Sequence, residues 1–150
     1  MMPSRDLATN LAAVGLELES LHKEKQLSGG YGEIRLGMFT PSSSEKFPCL
    51  KGQAGEVRKL GGPLLDVWER KMTPSNKQHR LARIALQSSV ELERILDDHE
   101  GAYRLTGDTA VKFRDLCFRY AACVSSLATH DHAKGIFLFH STVKMHYLVH

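Results

Sequence analysis

The sequence predicts an all-α fold, with four to five helices in a bundle-like arrangement and one long irregular loop near residues 31–52. Two observations indicate this class: apolar residues recur at spacings of three and four, and no proline follows Pro74. The content of 42% hydrophobic and 25% charged residues is ordinary for a globular protein. Because 150 residues is about the usual length of one domain, we expect a single helical domain over residues 1–150.

The first helix is predicted from about Arg5 to Gln26, with Ser4 as its N-cap. Its apolar residues follow at spacings of four, three, four and three, which places them on one narrow stripe: Leu7, Leu11, Val14, Leu18 and Leu21. Such a stripe is typical of a coiled-coil seam, so it is a candidate interaction face for a protein partner or for self-association. The alternative is that the stripe packs against its own domain.

Residues 31–52 are the least regular part of the chain. Pro41 and Pro48 bracket a serine-rich, charged run, which predicts a loop. The alternating residues 33–38 suit one short strand, although the sequence offers that strand no evident partner.

A short helix is predicted over residues 53–60, interrupted by Gly61 and Gly62. Another is expected from Leu64 to Met72, because Pro63 suits a first helical turn. Residues 73–76 close this helix and offer caps for the next one.

Two long helices are predicted in the second half of the chain. One runs from Lys77 to about His99, with an apolar pattern at Leu81, Ile84, Ala85, Ser88, Leu92 and Ile95. The other starts near Thr106 or Asp108, with a stripe at Phe113, Leu116, Cys117, Tyr120, Val124 and Leu127. A very apolar, helix-compatible segment follows Gly135.

The charge order along the helix from Lys77 opposes the helix dipole, because its basic residues come first and its acidic residues come last. The net charge of the chain is only +3. We identify a candidate nucleic-acid-binding set, since lysine and arginine neutralise phosphates: Arg70, Lys71, Lys77, Arg80 and Arg83. The alternative is a solvated face, or ion pairs with a neighbouring helix.

Two histidines have a spacing that zinc sites use. His146 and His150 are four residues apart, which places both imidazoles on one helical face. A metal site needs at least a third ligand, and no HExxH pattern supplies a general base. We therefore expect no metal and no cofactor, with both histidines belonging to an apolar helix.

The sequence favours a non-enzymatic protein. It contains neither a GxSxG nucleophile turn nor a phosphate-binding glycine loop. Cys117 and Cys123 are six residues apart, so on a helix they do not form a dithiol. Three cysteines without a CxxC pair argue against a disulfide framework. With no signal-peptide pattern and no apolar run that could span a bilayer, we expect an intracellular protein, cytoplasmic or nuclear, with no membrane partner.

Two stretches, residues 37–58 and 137–150, resemble helical regions in uncharacterised, mobile-element-like open reading frames of some protists. The second contains Lys144, His146, Leu148 and His150, and it is similar to a KxHxLxH stretch of transposase-like proteins. The resemblance implies a fragment of a longer, transposon-derived protein, of a class that commonly carries an RNase-H-like nuclease core with magnesium. This sequence departs from that pattern because no alternating strands bear a carboxylate, so no catalytic residue is carried over.

Two functional hypotheses follow from these observations. The first is a non-enzymatic helical protein–protein interaction module whose partner is another protein or a second copy. The alternative is a nucleic-acid-associated fragment of a transposon-derived protein.

Overall fold

A computed structural model describes residues 7–24, 60–135 and 139 of the chain. These residues contain no strand and form four helices: α1 (Leu7–Glu24), α2 (Gly61–Lys71), α3 (Lys77–Asp98) and α4 (Gly107–His132). The predicted all-α class and its bundle-like packing are confirmed for this part of the chain. The predicted irregular loop near 31–52, the predicted strand at 33–38, residues 53–59 of the predicted helix over 53–60 and most of the last segment lie outside the described residues.

The helices belong to two compact units, α1 and α2 within Met1–Lys71, and α3 and α4 within Met72–His150. That the whole chain is a single domain stays a prediction. No helix among the described residues is both long and apolar enough to cross a bilayer.

The first unit is held together by four leucine and valine side chains. Leu18 and Leu21 of α1 pack with Leu60 and Val67, and each of the four is at most 4% exposed. Two partly buried residues border this cluster: Val14 and Leu64. Fully burying such side chains contributes about 1.5–3 kcal/mol each, so this cluster is the main stabilising contact of the unit.

α2 begins three residues earlier than the sequence predicts. Gly61 and Gly62 are its first two residues, and the Leu64 amide donates to the Leu60 carbonyl over 3.0 Å. The prediction that both glycines precede this helix was therefore wrong. The first four amides of a helix have no partner within it, so neither the glycines nor Pro63 interrupts the hydrogen bonding.

The second unit is an antiparallel pair of long helices. α3 starts at its predicted residue because Asn76 caps it, with Oδ1 accepting from the amides of Gln78 over 2.9 Å and His79 over 3.3 Å. α4 starts after Thr106, also as predicted. In the connection between them Gly101 has a φ of 82°, a left-handed conformation that favours glycine.

The buried faces of α3 and α4 are those that the apolar periodicity predicts. α3 buries Ala85, Ser88 and Ile95. α4 buries four residues of its predicted stripe, Leu116, Cys117, Val124 and Leu127, together with Cys123, Ala128 and Asp131. Phe113 and Tyr120, the other two members of the stripe, are half-buried. Phe139 packs against the part of this core formed by Ala85, Cys123 and Val124.

Candidate functional site

The candidate face on α1 is largely occupied by its own unit. Leu18 and Leu21 are each 2% exposed, and Val14 is partly buried against them. The side chains of Leu7 and Leu11 lie outside the described residues. Val14, Leu18 and Leu21 therefore stabilise the first unit, whereas Leu16, off the stripe, is 69% exposed.

Two of the candidate phosphate-binding residues are paired with α1. Arg70 and Lys71 lie in the last turn of α2, and both reach Glu17, with N–O distances of 3.8 Å and 2.7 Å. The Glu17 side chain is 24% exposed, so it sits less in water than either cation. Cations at a helix C-terminus also complement the dipole. Arg70 and Lys71 thus link α2 to α1 by sharing one carboxylate.

The other three basic residues belong to the second unit. Lys77, Arg80 and Arg83 lie within the first seven residues of α3. Arg80 Nη1 donates to the carbonyl oxygen of Pro74 over 2.7 Å, which adds to the cap of α3. In the described part of the chain, no ion pair involves Lys77. The set predicted from sequence is therefore divided, with two residues in one unit and three in the other.

The acidic side chains near the C-terminus of α3 are paired with cations, because the dipole of α3 itself is unfavourable to negative charge at that end. Lys112 of α4 lies 3.6 Å from Glu91, and Arg94 lies 3.9 Å from Asp98 one turn along. Because the helices are antiparallel, the N-terminal half of α4 runs beside this end of α3, and its dipole is favourable to the acids.

No group of three or more His, Cys, Asp and Glu side chains forms a metal-binding cluster within the described residues. The candidate pair His146 and His150 lies outside them. Cys117 and Cys123 are free thiols in the core. Burial raises the pKa of both thiols, and the charge of Arg119 partly offsets this at Cys123. A raised pKa keeps a thiol protonated and makes it a poor nucleophile.

An apolar pair on α4 was missed by the sequence reasoning, which considered only the core stripe. Val111 is 48% exposed and Phe118 is 49% exposed. They are seven residues apart, so they share one face, and that face is opposite to the side of Tyr120 and the core. The signal available in the sequence was this seven-residue spacing of two large apolar residues outside the stripe. Leu96 and Tyr103 are exposed as well, near the connection between α3 and α4.

The two apolar residues belong to a continuous exposed surface, here called the outer face of α4: Val111, Asp115, Phe118, Ala122, Ser125 and Thr129. Its C-terminal half carries only small side chains. Thr129 Oγ1 donates to the Ser125 carbonyl over 3.0 Å, and the neighbouring Ser126 Oγ donates to that of Ala122 over 2.9 Å. Within this half of the outer face, the hydroxyl proton of Thr129 is therefore used within the helix.

Comparison of the chain with protein-family models, curated proteins and solved structures finds no match. The resemblance to mobile-element reading frames stays a prediction based on residues 37–58 and 137–150. Apart from Phe139, those stretches lie outside the described residues.

Proposed function

We propose that this protein is a non-enzymatic helical interaction module that binds another protein, or a second copy of itself, through an exposed helix face. The observation that carries the proposal is the pair of Val111 and Phe118 on the outer face of α4, each about half exposed. Removing apolar surface from water is favourable by about 25 cal/mol per Å², and aromatic residues are enriched at protein interfaces. An intracellular location, cytoplasmic or nuclear, is part of the proposal and agrees with the free thiols of Cys117 and Cys123.

The outer face of α4 suits this role better than the stripe of α1. Leu18 and Leu21 already pack in their own unit, so a partner that binds them must first displace α2. Phe118 is exposed, and the side chains that α4 buries in the core lie on the opposite side of the helix. A partner can therefore bind at Phe118 without displacing a core side chain.

The proposal is tested by measuring association of the full chain and of its Phe118→Ser variant, both with itself and with proteins retained from an extract. We expect Phe118→Ser to abolish association, whereas Leu16→Ser, a change at a more exposed apolar position on α1, leaves it intact. Circular dichroism checks that both variants stay helical. A chain that is monomeric at all concentrations and shows no binding that depends on Phe118 would refute the proposal.

The alternative function is association with nucleic acid, in a fragment of a transposon-derived protein. One observation favours it: α3 has no acidic residue in its first turn, which contains Lys77 and Arg80, and Arg83 lies in the next turn. The partial positive charge of the helix N-terminus adds to these cations, and phosphate backbones bind to such positions.

The salt dependence of binding to duplex DNA tests this alternative. Each phosphate contact contributes about −0.9 to the slope of log affinity against log salt. Replacing Lys77, Arg80 and Arg83 together by glutamine is expected to flatten the slope by up to about three units. The matched change of Arg70 and Lys71, which Glu17 already pairs, is expected to have a smaller effect. An unchanged slope in the triple variant would exclude these residues as phosphate contacts.

A further inference from the structure

We draw no further inference here: the strongest candidate, the half-exposed apolar pair Val111 and Phe118 on the outer face of α4, carries none, because nothing in the structure shows what covers that face.

Discussion

The Ser88 hydroxyl is a buried polar group on the face of α3 that packs in the second unit. Ser88 is 1% exposed, and its Oγ has no hydrogen-bond partner among the described residues. A buried group left without a partner costs about 1–3 kcal/mol, because it has given up its bonds to water. We therefore predict that replacing Ser88 by alanine stabilises the protein.

Three terms set the size of this effect. Removing the orphaned hydroxyl contributes about 1–3 kcal/mol, and the better helix propensity of alanine adds about 0.5 kcal/mol. The lost oxygen leaves a void of roughly 10–15 Å³, which at about 24 cal/mol per Å³ costs about 0.3 kcal/mol. The free energy of unfolding is expected to rise by about 1–3 kcal/mol in Ser88→Ala.

Urea unfolding followed by circular dichroism measures the change. Fluorescence of Trp68, the single tryptophan, reports on α2 in the first unit and separates its transition from that of the second unit. Ser89→Ala is the matched control, because this neighbour is only half-buried and should show little beyond the propensity term of about 0.5 kcal/mol. A loss of stability in Ser88→Ala would show that the hydroxyl has a partner and would refute the reasoning.

Three further perturbations test the core, the cap and the thiols. Leu127 is 1% exposed, so Leu127→Ala is expected to lower the free energy of unfolding, measured in urea, by about 2–5 kcal/mol. A loss of less than about 1 kcal/mol would contradict the place of Leu127 in the core. Asn76→Ala is expected to cost about 1 kcal/mol and to speed hydrogen exchange of the two capped amides, and unchanged exchange would argue against the cap. Because folding raises the pKa of Cys117 and Cys123, the unfolded chain loses these protons at lower pH than the folded one. The free energy of unfolding is therefore expected to keep its full value below the ordinary thiol pKa and to fall as pH rises through the raised pKa values. If a Cys117→Ala/Cys123→Ala variant loses as much stability at alkaline pH as the unsubstituted chain, the thiols are not the cause of the loss.

The helices of the second unit could be predicted closely from the sequence. The spacing of Leu116, Val124 and Leu127 already specified the buried side of α4, because a period of 3.6 residues brings them to one face. The start of α3 followed from Asn76, since a side-chain oxygen there satisfies amides that the helix leaves open. Both features depend on residues near one another in the chain.

The candidate sites depended on contacts between distant residues. The sequence by itself determined that Val14, Leu18 and Leu21 share one face of α1, but only the tertiary structure decided that Leu60 and Val67 cover it. Likewise, the sequence predicts Arg70 and Lys71 as phosphate ligands, and only the tertiary structure places Glu17 of another helix beside them. The exposure of Phe118 could not be predicted from the sequence either. Periodicity shows which residues of a helix share a face, but it does not show whether another part of the protein covers that face. That is decided by how helices far apart in the chain pack, and the free energy of such packing comes from the surfaces that they bury together.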